Sequence, residues 1–583
     1  MNKKYLRFAI YAAMAAVLIL KLQVVRKLFE LSLWPDMTFF TNLGLQPGVA
    51  LPVIGSVLTQ VSGIPLVGVA LVVLSLGCLT LIVRKLHGND LVSVIPAVLA
   101  FLFIAGFDYS LYTFRSQGLL FSQTIGLICS ALSLLWWSRH KEARLSVFFP
   151  FLVALVGYPL IGAYSLLAVL AIFADALLSR KWASSLCALV SIVAVPLLYT
   201  HLFFTHIDTR YTFLAGLPYM DFVDNHKRFI PLALAMLSLV VLPQVRVKRD
   251  RVNAKAGWLD LSVAVLLVAA VFVFPYWNRN FHIEIAMQHA LERNDWDKAA
   301  KLSGKSGKPT RIIVMYRNIA LLNNGKLCDA MFTYPNESIG IDTPAQISQT
   351  EVCAPVVYFY DGLINYSTRW AWEMSMMFQR TLERYKYQAK VALFTGQENP
   401  ALVEKYLQII GRNLFQRRWV RKYRSYLEDR TLLEQDPEYL MFRQLNEYEE
   451  VKYMSSAVVE NTVLNHFLLQ EHPEGVMLDA CLASAMTAKD IDLFWYFYDI
   501  LLKSGRKIPR HVGEAAILFA YMSRNQAEVD AVARDLGGPV SPIVKRFVSF
   551  STYASAGDTD SCREKFVDTY WYYSYFVKSI TTD

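Results

Sequence analysis

The sequence predicts an all-α protein in two parts. A polytopic bundle of about nine transmembrane helices occupies residues 1–276, N-terminus in and C-terminus out, and an external α-helical solenoid occupies residues 277–583. Three observations predict this. Hydrophobic residues make up 55% of the 583-residue chain and charged residues only 18%, with mean hydropathy +0.32, too apolar for a soluble protein of this length. Apolar segments of near-spanning length recur up to Tyr276 and none follows it. Beyond Tyr276, apolar positions recur every three to four residues within polar sequence, the pattern of paired amphipathic helices.

Spans are expected at 5–24, 65–83, 91–107, 119–137, 145–161, 164–179, 182–203, 229–244 and 258–276. The stretch 145–179 is too long for one helix and contains Gly157, Tyr158, Pro159 and Gly162, so it reads as a helical hairpin. Basic residues set the orientation. Lys3, Lys4 and Arg7, then Arg84 and Lys85, then Arg139, Lys141 and Arg144, then Arg180 and Lys181 mark alternate loops, as an N-terminus in the cytoplasm requires. Arg246, Lys248, Arg249, Arg251 and Lys255 crowd the last loop, and one more crossing puts everything after Tyr276 outside. Lys21, Gln23, Arg26 and Lys27 follow the first apolar segment where cleavage would need small residues, so that segment is expected to be a span and not a signal peptide. The net charge of +10 is therefore read as topology; the lipid bilayer is the expected partner and nucleic acid is not.

Three loops are expected to be external. The first, 26–64, carries Glu30, Asp36 and Gln46-Pro47-Gly48, and part of it should lie flat on the outer leaflet. The second carries Asp108 and Arg115, and the third His206, Asp208, Arg210 and Arg228. In the external part, Asn294-Asp295, Gly325 and Gly396 each end one helix before another begins, a tetratricopeptide-like (TPR-like) grammar with degenerate repeats. Trp370, Trp372, Trp419, Trp495 and 570–573 are expected to pack between repeats. Arg412, Arg417, Arg418, Arg421, Lys422 and Arg424 form a basic cluster, read as a solvated face with an anionic partner as the alternative. Cys328 and Cys353 would lie in an oxidising compartment and could pair. Asp175, near the cytoplasmic end of its span, can reach the interface, and a proton relay is the less favoured role for it.

Gln46-Pro47-Gly48, Gly55, Leu58-Thr59-Gln60, Ile64-Pro65 and Gly68, with Asn318-Ile319-Ala320-Leu321 and the stretch 325–332, resemble a family of uncharacterised bacterial membrane proteins. In that family a multi-span module is joined to an external helical-repeat domain. The resemblance implies a multi-pass bacterial inner-membrane protein with its C-terminal domain in the periplasm, and no established activity. The long first external loop with its acids, the span array and the external C-terminal domain are also similar to the GT-C class of membrane glycosyltransferases. That resemblance implies transfer of a sugar from a polyprenyl phosphate to a hydroxyl or amide. A carboxylate deprotonates or orients the acceptor, in some members with a divalent metal, and basic residues steady the leaving phosphate. By position it makes Asp36 or Glu30 the carboxylate, Asp108 a second acid, and Arg115, Arg210 or Arg228 the phosphate partners.

No metal site is assigned from the residues themselves, because His206 and Asp208 supply two ligands without a third. The competing expectation is a non-catalytic scaffold, with the spans anchoring a repeat domain that binds an envelope protein or complex. A transporter is disfavoured by the scarcity of charges within the spans and the lack of a matched pair of interrupted helices.

Overall fold

The structure, a computed structural model, describes residues 3–30, 46–107, 118, 120–218, 226–245, 254–336, 350–377, 382–396, 399–447 and 458–578. It is all-α, with no strand among the described residues. The chain forms two compact units. Met1–Asn278, Ser375–Leu382 and Ile410–Arg417 make the first, and Arg279–Met374, Glu383–Ile409 and Arg418–Asp583 the second.

The first unit contains α1 (Lys3–Glu30), α2 (Ala50–Val61), α3 (Pro65–His87), α4 (Ile95–Ala105), α5 (Ser122–His140), α6 (Phe149–Ile161), α7 (Ala163–Leu178), α8 (Trp182–Leu202), α9 (Ile230–Val241) and α10 (Ala254–Val273). α1 packs against α3 and α10, α5 against α3 and α7, and α7 against α5, α6, α8 and α9. α7 is buried along most of its length, whereas α6 and α8 leave Leu152, Val156, Leu186 and Val190 exposed, an apolar outer surface suited to lipid.

Among the described residues five helices, not nine, are long and apolar enough to cross a membrane: Lys3–Gln23, Pro65–His87, Arg144–Ile161, Trp182–Leu202 and Lys227–Gln244. Four expected spans are corrected. Those at 91–107 and 164–179 are apolar helices of shorter extent, Val92–Ala105 and Ala163–Leu178, and that at 258–276 falls on α10, of which Asp260–Val273 is the apolar part among the described residues. The span at 119–137 is the 19-residue α5, long enough but polar at both ends, with Ser122, Gln123 and Thr124 at its start and Arg139 and His140 at its finish. Apolar runs overstate helix length because the helix stops where the backbone breaks, at Gly106 after α4 and at Gly162 between α6 and α7. The expected hairpin within 145–179 is present and turns at Gly162, whose φ is +57°.

Ion pairs at one end of the bundle join the start of α1 to the start of α10 and the end of α3, and the start of α8 to the end of α5. Lys3 pairs with Asp260 at 2.7 Å, Arg7 with Asp90 at 3.7 Å, Arg84 with Asp90, and Lys181 with Glu142 at 2.8 Å. Asp175 accepts from Lys141 Nζ and from Trp137 Nε1, each at 2.9 Å, so its carboxylate joins α5 to α7. Several residues expected to set topology thus collect at one end of the bundle with acidic partners.

The second unit is built from helical hairpins. Gly475–Ala488 packs against Ile491–Lys503, and Arg510–Met522 against Gln526–Asp535. Pro542–Ser555 likewise packs against Thr559–Phe566. Their turns share one device. A residue with positive φ, Lys489, Arg524 or Gly557, ends the first helix, and the next residue, Asp490, Asn525 or Asp558, caps the second by accepting a backbone N–H. Asn294-Asp295 does the same. Helices α3, α4, α6 and α9 of the first unit instead begin at proline with no side-chain cap, proline removing one of the donors that would otherwise need a partner. The expected solenoid predicts that each repeat touches only its neighbours. The contacts do not follow that rule: Leu327–Ala330 packs against both Gly475–Ala488 and Arg510–Met522.

Candidate functional site

At the start of α3, opposite the ion-paired end, backbone segments meet so closely that they need glycine. Gly48 and Val49 both donate to Pro159 O, at 2.9 and 3.3 Å, and Ala163 donates to Ala215 O at 2.7 Å. Gly48, Gly162 and Gly216 have φ of +86°, +57° and +80°, and a Cβ on Gly162 would lie 2.1 Å from Ala215 O. A Cβ on Gly118 would fall 2.4 Å from Gly55 Cα, which locks α2 onto the turn before α5. Gly162→Ala is expected to destabilise the protein by about 1–3 kcal/mol from backbone strain, lowering its melting temperature in detergent. An unchanged melting temperature would show that this junction carries no strain.

The side chains beside these contacts are polar and buried. They are Thr59 and Gln60 of α2, Ser62 after it, and Ser122, Gln123 and Thr124 of α5, with the Tyr164 hydroxyl donating to Gln123 Oε1. Two cations stand at the same end. Lys21 is 1% exposed, and its ammonium lies 4.4 Å from the centre of the Phe107 ring and 5.6 Å from that of Trp277. The Arg228 guanidinium lies 5.3 Å from the centre of the Tyr276 ring. Tyr276 N–H donates to Ala105 O at 3.4 Å, so both cations converge where the segment after α4 meets the segment after α10. A buried cation in an apolar helical unit is costly, and aromatic faces offset part of that cost.

Asp36, Asp108 and Arg115 of the expected site lie outside the described residues. Glu30 ends α1 and Arg210 sits in the 3-10 turn Thr209–Leu214, and the side chains of both lie outside the description. Arg228 is half-buried at the cation junction. Phe107, which faces Lys21, directly precedes Asp108 in the chain. His206 and Asp208 are exposed, and among the described residues no three His, Cys, Asp or Glu side chains gather as a metal-ligand set.

In the second unit, two buried carboxylates are paired with buried cations. Glu438 Oε1 accepts from Lys390 Nζ at 2.6 Å and from the Tyr360 hydroxyl at 2.9 Å, and Oε2 accepts from the Tyr423 hydroxyl at 3.1 Å and Asn294 Nδ2 at 3.3 Å. Burial alone would raise this carboxyl, but the adjacent Lys390 ammonium outweighs it and holds the group down to about 2. Arg311 forms a two-point pair with Glu460. Glu460 also lines a cavity of about 50 Å³ with Asp361, Asn318 and Thr487, and burial pushes the Asp361 carboxyl up to about 8. Cys328 and Cys353 do not pair. Both are free thiols, Cys328 donating to Asp479 O at 3.2 Å and Cys353 to Thr350 O at 2.9 Å.

The profile of a family of unknown function, DUF6057, matches residues 10–577. The chain belongs to that family. Comparison with curated proteins and with solved structures gave no match. In this DUF6057 chain, residues on which the sequence resemblance rests have a structural reason to be there. Gly48 and Gly55 stand at the close backbone approaches, a Cβ on Gly68 would fall 2.7 Å from Ser62 Cβ, and Thr59 and Gln60 are buried polar groups. Sequence reasoning missed Lys21, which it used only to argue against signal cleavage. The signal was available: a lysine inside an apolar helix that continues for several residues beyond it.

Proposed function

We propose that this DUF6057 protein is an integral inner-membrane protein of the cell envelope that transfers a sugar from a polyprenyl-phosphate carrier, in the manner of GT-C enzymes, at the periplasmic face. The observation that supports this reading is the convergence of Lys21 and Arg228 on the Ala105–Tyr276 junction, next in sequence to Asp108. Two cations over aromatic rings offer an anionic leaving group charge stabilisation together with an apolar wall for a prenyl chain. In this reading Lys21 joins Arg228, Arg115 and Arg210 as a phosphate partner, Asp36 or Glu30 is the acceptor carboxylate, and Asp108 is the second acid. In this reading the basic end of the bundle is cytoplasmic by the distribution of Lys and Arg, and the chain after Tyr276 is periplasmic.

The test is complementation of a deletion strain. Deletion should change the envelope glycan profile. Asp36→Asn and Lys21→Met should accumulate in the membrane yet leave the profile uncorrected, a loss of roughly 100-fold or more in transfer being expected when a catalytic carboxylate is removed. A deletion strain with an unaltered profile would overturn the reading. The alternative, a membrane-anchored TPR-like scaffold for an envelope protein, is favoured by one feature of the second unit. Buried charges there, Lys390 with Glu438 and Arg311 with Glu460, are engaged in cross-helix pairs, and the cavity of about 50 Å³ beside Glu460 suits water better than a sugar, so in this alternative an exposed surface does the binding. Crosslinking that recovers a single envelope protein on the second unit, with glycans unchanged, would select it.

A further inference from the structure

We propose that the segments 139–148 and 178–182, at the ion-paired end of the first unit, form a binding site for the headgroup of an anionic phospholipid. Both segments belong to that unit, and each leads into an apolar helix long enough to cross a membrane, Arg144–Ile161 and Trp182–Leu202. Where two spans begin side by side, the bilayer surface lies at their first residues. Polar contacts hold the two segments together. Lys141 Nζ donates to Ser179 Oγ at 3.0 Å, and Lys181 Nζ donates to Lys141 O at 2.6 Å and pairs with Glu142 at 2.8 Å.

Positive charge is left over at this junction. Glu142 is matched by Lys181, and Asp175 by Lys141. Arg139, Arg144 and Arg180 are exposed, and their guanidinium groups make no hydrogen bond or ion pair with a described residue. Large apolar side chains stand beside them. Leu145 and Phe148, three residues apart in the 3-10 turn Arg144–Phe148 and so on one face of it, are 82% and 65% exposed. The turn packs against α8, whose first residue, Trp182, is exposed, as is Leu178 at the end of α7. At a bilayer surface the leucines and the phenylalanine enter the acyl boundary and the tryptophan sits at headgroup level. The guanidinium groups then form paired hydrogen bonds to lipid phosphate. Anionic lipid is favoured over zwitterionic lipid because the zwitterion carries its own neutralising cation, so only the anionic headgroup gains from three unmatched arginines. The two lysines thus serve the fold and the three arginines the lipid, a division that the number of basic residues in these loops does not reveal.

The experiment reconstitutes the full-length chain in nanodiscs containing a headgroup-photoreactive lipid, either phosphatidylglycerol or phosphatidylcholine, and maps the crosslinks by peptide mass spectrometry. Each basic residue near an anionic surface is worth about fivefold in binding, so crosslinking to 139–148 and 178–182 should be at least roughly tenfold higher from the anionic lipid. The preference should collapse in Arg139→Gln/Arg144→Gln/Arg180→Gln, and in the unaltered chain at about 1 M salt, where screening shortens to about 3 Å. Inorganic phosphate should compete no better than chloride at equal ionic strength, because it brings no acyl chain to Leu145 and Phe148. Equal yields from the two headgroups would overturn the proposal, as would an anionic excess no larger here than at 84–90, where Asp90 matches Arg7 and Arg84. So would a preference that survives both the triple substitution and high salt, or displacement of the lipid by phosphate, which would assign the arginines to a soluble anion. The salt and phosphate series on the unaltered chain decide the matter even where the triple variant fails to fold.

Discussion

Lys390→Met is expected to destabilise the protein by about 3–5 kcal/mol at pH 7, measured by denaturant unfolding of the purified full-length chain. The substitution keeps most of the apolar stem and removes the ammonium with its N–H donors. What it leaves behind is Glu438, almost wholly buried, accepting from two tyrosine hydroxyls and an asparagine but without its cation. Hydrogen bonds from neutral groups do not replace an ammonium at 2.6 Å. The sign of the pH dependence follows from Glu438. With Lys390 present its carboxyl is held down to about 2, so the stabilisation it contributes is full above the ordinary glutamate range and is lost only as pH falls toward 2. In Lys390→Met burial dominates, the carboxyl rises, and protonation relieves the defect, so the gap between variant and parent should narrow as pH falls from 7 toward 4. Lys390→Met/Glu438→Leu should recover most of the loss, because no uncompensated charge remains. A single variant as stable as the parent at pH 7 would refute the argument.

The features legible in the sequence were those set by local rules. The hairpin at Gly162 could be read because an apolar stretch too long for one helix contained glycine and proline, and the turns at Asn294-Asp295 and Gly325 because a helix stop and a helix start stand side by side. The positions of Lys3, Arg7, Arg84 and Lys141 could be read as loop markers, but their acidic partners could not, since Asp90, Asp175 and Asp260 are found only when helices are placed beside one another. Span number was overstated for a related reason. α7 is a short helix sheltered by α5, α6, α8 and α9, and hydropathy scores it like a lipid-facing span because both environments demand apolar residues. The candidate site was legible only in part. Arg228 was found by its position in a loop, whereas Lys21 became visible once Phe107 and Trp277 were seen to flank it. The contact of Gly48 with Gly162 and Gly216 joins three loops far apart in the chain, and no local signal marks such a meeting.

Asp361→Asn is expected to have the opposite effect to Lys390→Met: a gain in stability at neutral pH. Asp361 is almost fully buried at the small cavity it shares with Glu460, whose charge is already matched by Arg311. Burial alone accounts for the rise of its carboxyl to about 8, so at pH 7 the folded protein holds this group protonated while the unfolded chain releases the proton. The folded form thus binds more protons than the unfolded one between about pH 4 and pH 8, and stability must decline with rising pH across that window. The stabilisation is fully present below about pH 4 and is lost as pH climbs through 8, a change of up to about 4 kcal/mol by pH 7 on the unit-by-unit conversion. An asparagine is neutral in both states and should abolish this slope. The variant should therefore match the parent near pH 4 and exceed its stability by a few kcal/mol at pH 7 to 8, as read from denaturant midpoints at each pH. Parallel pH profiles for parent and variant would show that Asp361 is ionised in the fold, with a cation or water in the cavity carrying its charge, and the argument from burial would fail.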